Sequence, residues 1–293
     1  MTSDFSASLS RLRTEYEDLV KDLRPELHRY CARIVGSAID AEDVVQEAMA
    51  AGFYALATTS VTTMRPWLFR IAHNKAIDHL RQPSTEPWDD QEVPTELGHP
   101  LEQRELVTMA LSRFLQLTVK QRSCVVLKDV LGHSLADIAE LLDASLADVK
   151  AALHRGRARL RALSSSGDSA PRVEPHQLDL LNRYVDRFNA RDFEALRTML
   201  ADDVRLDLVN RSQRRGADVG FYFTRYGDFH QWFFAPGLVE DRLAILIYDK
   251  TASTEVPYSF ILLHWDHDKV SFIRDYLFVP YVSRECQVER LGT

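Results

Sequence analysis

Two copies of one short phrase, Ser134-Leu-Ala-Asp137 and Ser145-Leu-Ala-Asp148, stand eleven residues apart. A serine followed three residues later by an acid can satisfy two of the orphan amides at a helix start. Two such starts so close together predict two helices around a tight turn, Asp143-Ala144-Ser145. In the first helix Leu135, Ile138, Ala139 and Leu142 recur at helical spacing, and in the second Val149, Leu153 and Leu160 do, so each can bury one stripe against the other. Ala147, Lys150, Ala151, His154 and Arg155 are left outward. From Lys150 to Arg161 there are five basic residues, the last three being Arg157, Arg159 and Arg161, and no acid. A plain antiparallel helix pair would carry such a face as solvated charge. The short turn, the small Ala147 and Ala151, and cations that do not alternate with acids favour a helix built to approach a nucleic-acid groove.

The chain has 293 residues, room for two or three domains, each with its own core. A net charge of -7 confines any nucleic-acid contact to local patches. No apolar run reaches membrane-spanning length, and MTSDFSASLSRLR lacks the apolar core of a signal peptide, so a cytoplasmic protein with no membrane contact is expected. Cys31, Cys124 and Cys286 are widely separated, which fits buried thiols in a reducing compartment rather than a metal site, and no cofactor is expected.

From Leu9 to about Arg81 the periodicity is helical. Pro25 can open a helix whose face is Leu27, Tyr30, Cys31, Ile34 and Val35, and Gly36-Ser37 closes it. In the next helix Asp40 is the expected cap and Val44, Val45, Ala48 and Met49 face inward. Glu42, Asp43, Gln46 and Glu47 then form an outward acidic and amide face. A third block runs from Arg65 to Arg81 with Pro66 in its first turn. Leu68, Ile71, Ala72, Ile77 and Leu80 make its apolar side, and Arg70, His73, Asn74, Lys75 and Arg81 supply donors. That mixture suits the backbone and exposed bases of a single strand. Trp67 and Phe69 fit a core more readily than a stacking platform.

The phrases DAEDVVQEA (40–48) and RPWLFRIAHNKAIDHLR (65–81) resemble region 2 of the extracytoplasmic-function sigma factors of bacterial RNA polymerase, and the repeated-phrase helix pair resembles their region 4. The resemblance implies a transcription initiation factor that binds core RNA polymerase, through its beta and beta-prime subunits, and promoter DNA both duplex and single-stranded. By position it makes Asp40, Asp43, Gln46 and Glu47 polymerase-docking residues. Arg70, Asn74, Lys75 and Arg81, with the loop near Thr58 to Met64, become the readers of a melted downstream element. Ser145, Ala147, Lys150, Ala151, His154 and Arg155 become the readers of a duplex upstream element.

Between Gln82 and Pro100 the pattern collapses into four prolines and five acids with no Lys or Arg, as in an extended tether. The family's linker can mimic nucleic acid in a basic channel, and a solvated tether is the alternative. Helical periodicity resumes through Leu106, Met109, Leu111, Phe114, Val125, Val126 and Leu127. Thr118-Val119 stands where the family often has a proline pair, so a weaker helix cap is expected there.

Ser164 to Pro171 reads as a flexible seam, and a different domain follows. His176 to Leu200 is an amphipathic helix, Val204 to Val209 alternates like a strand, and Asp218 to Phe234 reads as an aromatic helix. Leu243–Tyr248, Tyr258–Trp265 and Val270–Val279 read as strands, with Asp266 to Lys269 a hairpin turn. LLNRYVDRFNARDFEALRTMLADDVRLDLV and IRDYLFVPYV resemble the SnoaL-like, polyketide-cyclase-type fold. The expected architecture is therefore multidomain, with two all-α sigma domains followed by an α+β cone with a curved antiparallel sheet. Expected boundaries are 1–82 for region 2, 83–100 for the linker, 101–163 for region 4, 164–175 for a second linker and 176–293 for the SnoaL-like domain, which modulates sigma activity. Enzymes of that fold use pocket acids and histidines, which makes Asp207, His230, His264 and Asp275 candidates for a pocket with a small-molecule ligand. They form no local catalytic constellation, His264 suits a core position equally, and no enzyme activity is expected. The alternative organisation is a helix-turn-helix regulator fused to a SnoaL-like enzyme or ligand sensor.

Overall fold

The computed structural model describes residues 14, 16, 18, 20–56, 61, 63–81, 111–163 and 174–291. The acidic linker at 83–100, the seam at 164–171, most of the loop near Thr58 to Met64, and Leu106 and Met109 lie outside the described residues. The chain divides into two compact units, residues 1–167 and 168–293.

In the first unit, α1 (Arg24–Val35) opens with Pro25 in its first turn and ends at Gly36, whose φ of 86° is left-handed. A Cβ at Gly36 would fall 2.6 Å from the Leu115 side chain, so both the turn and the close approach require glycine. α2 (Ala38–Leu56) begins under Ser37, whose Oγ accepts the Asp40 amide at 3.1 Å. The cap is thus Ser37 rather than the expected Asp40, because the helix starts two residues earlier. Val44, Val45, Ala48 and Met49 are buried as their spacing requires. Glu42 departs from its expected outward position: it is fully buried, its carboxylate 2.5 Å from the Arg24 guanidinium. α3 (Met64–Arg81) buries Leu68, Phe69, Ala72 and Ala76. Phe69 is a core ring, edge-on to Tyr30 at 5.8 Å.

α4 (Leu111–Phe114) and α5 (Val119–Val125) follow. The weaker cap expected at Thr118 does not occur, since Thr118 and Gln121 close a reciprocal capping box. A π-helical turn, Val126–Val130, leads through the turn at Gly132 into α6 (Leu135–Leu141) and α7 (Leu146–Leu163). Ser134 and Asp137 form the expected box, both bonds 3.1 Å long. Ser145 Oγ accepts the Asp148 amide at 3.1 Å and donates to its carboxylate at 2.9 Å. Ile138 and Leu141 are buried from α6, and Val149, Ala152, Leu153, Gly156 and Leu160 from α7. At Gly156 a Cβ would fall 2.8 Å from a Val125 methyl, so glycine is what lets α7 lie close on α5.

Arg122 on α5 joins the two helical groups. Its fully buried guanidinium donates to the carbonyl of Ile34 at the end of α1, and to those of Leu115 and Leu117 at 3.2 and 3.0 Å. Burial lowers its pKa to about 10, which still leaves it charged near neutrality.

In the second unit α8 (Pro175–Asn189) and α9 (Phe193–Thr198) replace the single helix expected from 176 to 200, with Arg191 at φ 58° breaking the run. One seven-stranded sheet follows, in the order β2-β1-β6-β5-β4-β3-β7. Its strands are β1 (Leu200–Leu208), β2 (Ser212–Arg215), β3 (Trp232–Val239), β4 (Arg242–Asp249), β5 (Ser259–Asp266), β6 (Lys269–Asp275) and β7 (Val288–Arg290). Every neighbouring pair is antiparallel except β1 and β6, which run parallel. The turn at 266–269 is a two-residue hairpin with His267 at φ 53°. Residues 218–234 are not one helix: a 3₁₀ segment, Gly216–Phe221, a short α10 (Thr224–Gly227) and the start of β3 share them. Phe188 is the hub of the core, within 4.4 Å of the Phe234 ring centroid and 5.1 Å of Tyr226.

Replacing Arg122 by methionine leaves three carbonyls, two of them buried, without their donor and should cost roughly 3 kcal/mol or more. A urea titration followed by far-ultraviolet circular dichroism should show the helical unit's midpoint falling; an unchanged midpoint would show that the guanidinium is dispensable.

Candidate nucleic-acid interface

The exposed side of α7 is where the repeated phrase places it. Ser145, Ala147, Lys150, His154 and Arg155 are exposed and Ala151 half-buried, opposite the stripe that packs on α5 and α6. Small side chains at 147 and 151 flank Lys150, so that surface combines cations with room for close approach. The basic tail is less free than its sequence suggests. Arg157 forms a two-pronged pair with Asp129, at 2.8 and 2.5 Å, which holds α7 to the π-helical turn. Asp148 is held below the usual carboxylate range by the Ser145 hydroxyl and then by Lys120, 3.7 Å away.

On α3, Arg70, Asn74 and Arg81 are exposed and Lys75 is half-exposed. Lys75 lies 3.4 Å from Glu47 of α2, an ion pair between a candidate strand reader and a candidate docking residue. Arg70 donates to the Glu140 carbonyl on α6 at 3.0 Å, so in this conformation the first helical group contacts the second through a candidate DNA contact. Asp40, Asp43 and Gln46 are half-buried along α2 and Glu47 is exposed. Behind this surface lie two histidines. His73 Nδ1 is 2.7 Å from the Tyr30 hydroxyl, and the His133 ring meets Phe69 edge-on at 5.2 Å with its Nε2 buried and unpartnered among the described residues. Burial lowers the pKa of both, with Arg65 adding to the effect at His133.

The four candidate pocket residues of the second unit do not converge. Asp275 is fully buried and accepts the hydroxyls of Tyr222 at 3.0 Å and Tyr226 at 2.7 Å, while the Leu277 amide donates to its other oxygen at 2.8 Å. The strand register sends Asp207 and His264 to the opposite sheet face. Asp207 there pairs with Arg274 at 3.2 Å, and His264 is exposed, contrary to a core position. His230 is exposed ahead of β3. The i, i+4 spacing of Tyr222 and Tyr226 was the available signal that both hydroxyls share one partner; without a fold it does not say which.

Two family descriptions match the chain: Sigma-70 region 2 over residues 19–85 and Sigma-70, region 4 over residues 108–160. The ECF RNA polymerase sigma factor SigW of Bacillus subtilis (strain 168) is 30% identical over 162 residues, which cover 50% of this chain and 87% of SigW. SigG of Mycobacterium tuberculosis (strain CDC 1551 / Oshkosh), another ECF sigma factor, is 30% identical over 217 residues, which cover 63% of this chain and 58% of SigG. The chain thus spans under two thirds of SigG's length. Among solved structures, that of CnrH in complex with the cytosolic domain of CnrY is 25% identical, covering 54% of this chain and 96% of CnrH, with a TM-score of 0.40. The chain belongs to the ECF RNA polymerase sigma factors. None of its described helices is long and apolar enough to cross a membrane.

Both histidine pKa values lie below the ordinary 6.5, so the folded helical unit favours neutral rings. Their contribution to stability is intact above about pH 6.5 and is lost as pH falls through the lowered values. Urea midpoints should therefore drop between pH 7.5 and 5.5, and His133→Phe, which keeps the ring contact with Phe69, should flatten part of that slope. An equal slope in the variant would show that His133 does not contribute.

Proposed function

We propose that the chain is a bacterial transcription initiation factor that binds core RNA polymerase, through the beta and beta-prime subunits, and directs it to promoters of two-part sequence. The observation that carries this reading is the exposed face of α7, which presents Lys150, His154 and Arg155 beside Ala147 and Ala151 within the region matched as Sigma-70, region 4. These residues, with Ser145, read the upstream element as duplex in the major groove. Asp40, Asp43, Gln46 and Glu47 dock on the polymerase. Arg70, Asn74, Lys75 and Arg81 hold the downstream element once it is single-stranded. For Arg70 to do so, its bond to the Glu140 carbonyl must open, so promoter engagement separates α3 from α6. The work is divided among region 2 at 1–82, a linker at 83–100, region 4 at 101–163, a linker at 164–175 and a SnoaL-like regulatory domain at 176–293. The protein acts in the cytoplasm, and no catalytic step is assigned to it. A stand-alone helix-turn-helix regulator would leave the region 2 match at 19–85 without a purpose.

Core polymerase supplied with the full chain should give promoter-specific transcripts. Lys150→Ala or Arg155→Ala should cost roughly 1 to 3 kcal/mol of discrimination at the upstream element for each bidentate pair with a base that the substitution removes, while core binding is unchanged. DNA binding with no effect on core polymerase would overturn the proposal.

A further inference from the structure

Where the two helical groups of the first unit meet, the contact carries one imidazole that packing alone does not call for. His133 stands in the loop between the π-helical turn and α6, just after Gly132 at φ 76°. Its backbone is fixed: the amide donates to the Leu127 carbonyl at 2.9 Å, and the carbonyl accepts the Lys128 ammonium at 3.2 Å. The ring is thereby set edge-on against Phe69 of α3, the centroids 5.2 Å apart. A phenyl ring would make the same contact. The imidazole brings in addition Nε2, which is buried and has no hydrogen-bond partner among the described residues. A buried polar atom left unpaired costs stability, so its presence needs a reason other than packing.

The charges around the ring decide what a proton would do there. From α3, Arg65 holds its guanidinium 5.8 Å from the centroid of the same Phe69 ring, so a charged His133 would be a second cation at one aromatic. From α1, Glu26 attracts a proton, but it is already paired with Arg65 at 2.6 Å. From α6, Asp137 attracts it too, but that carboxylate already accepts the Ser134 amide at 3.1 Å. Burial and Arg65 outweigh the two acids, and the imidazole is held below its ordinary pKa of 6.5. His73, the other titratable ring nearby, faces the Tyr30 hydroxyl of α1 and so lies within the first helical group rather than between the two. The polar tie that accompanies the His133 contact is the exposed bond from Arg70 to the Glu140 carbonyl, which resists little once the ring is charged. The Arg122 cluster takes no part, so what a proton loosens is α6 on α3 and not the whole interface. We propose that His133 is a proton-sensitive latch between the two helical groups: neutral, it closes α6 on α3 and keeps Arg70 occupied; protonated, it releases α6 and frees Arg70 for nucleic acid. The latch rests on the proposed function only for the use made of the freed Arg70.

The test reads separation of α3 from α6 in the full chain, by energy transfer between pH-insensitive dyes on Asp78→Cys and Ala136→Cys, both exposed positions. Cys286→Ser removes the one native thiol that is not buried. A ring that titrates at the ordinary 6.5 when released, and lower when closed, keeps the latch shut above about pH 6.5 and raises the opening constant by up to about tenfold between pH 7.5 and 5.5. Transfer efficiency should fall over that range while the far-ultraviolet circular dichroism stays constant. His133→Phe, which keeps the contact with Phe69, should hold the high efficiency at both pH values, and His73→Phe should retain the wild-type response. An efficiency that ignores pH, an equal fall in His133→Phe, a response lost with His73 instead, or a fall that comes only with loss of the helical signal each overturns the latch. Neither polymerase nor DNA is in the measurement, so absence of promoter-specific transcription would count against the initiation reading and not against the latch.

Discussion

The helical unit depends on one buried cation. Arg122 stands with its guanidinium wholly out of water, among the carbonyl of Ile34 that ends α1 and those of Leu115 and Leu117 just before α5. A charge in that position is tolerable only because carbonyl oxygens replace its hydration shell. The carbonyls benefit in turn, since Ile34 lies in the last turn of α1, where intrahelical donors run out. One side chain therefore closes a helix end in the region matched as region 2 and fixes the entry to the helices matched as region 4.

Around that point the packing is built from close approaches. Gly36 makes room for Leu115, and Gly156 makes room for Val125. Tyr30, Phe69 and His133 form a chain of edge-on aromatic contacts from α1 through α3 to the loop ahead of α6. The polar contact that accompanies it, Arg70 on the Glu140 carbonyl, is exposed and weak by comparison with the Arg122 cluster. The interface has a firm buried end and a yielding exposed end, and Arg70, one of the candidate DNA contacts, is at the yielding end.

What the sequence made legible were features whose physics is local. The Ser134 box, the Ser145 cap, the left-handed Gly36, the buried stripe of α2 and the hairpin at 266–269 each depend on residues within one turn of one another. Partners distant in sequence were not legible. Glu42 reads as one more acid on a solvated face, because only the fold brings Arg24 to it across 18 positions. Asp275 reads as a candidate pocket acid until Tyr222 and Tyr226 arrive from some 50 residues upstream. β3 was hidden for another reason: Pro236 and Gly237 interrupt an otherwise strand-like run, and the aromatic residues before them carry no helix–strand preference strong enough to mark the boundary at Trp232.

The same distinction bears on how much DNA affinity α7 can supply by itself. Its sequence offers five cations between Lys150 and Arg161, but the structure spends Arg157 on Asp129 and leaves Arg159 and Arg161 half-buried. Lys150 and Arg155 are the exposed permanent charges, with His154 beside them as a polar ring. Two cations release few counterions, so a helix of this kind binds duplex DNA weakly at physiological salt, whatever its fit to the bases. Under the proposed function, specific recognition then requires that the rest of the binding energy come from elsewhere, from a polymerase that already holds the DNA. If α7 is such a reader, its light charge makes it discriminating, because it cannot hold DNA on electrostatics alone, which is the behaviour the proposed role in a larger machine demands.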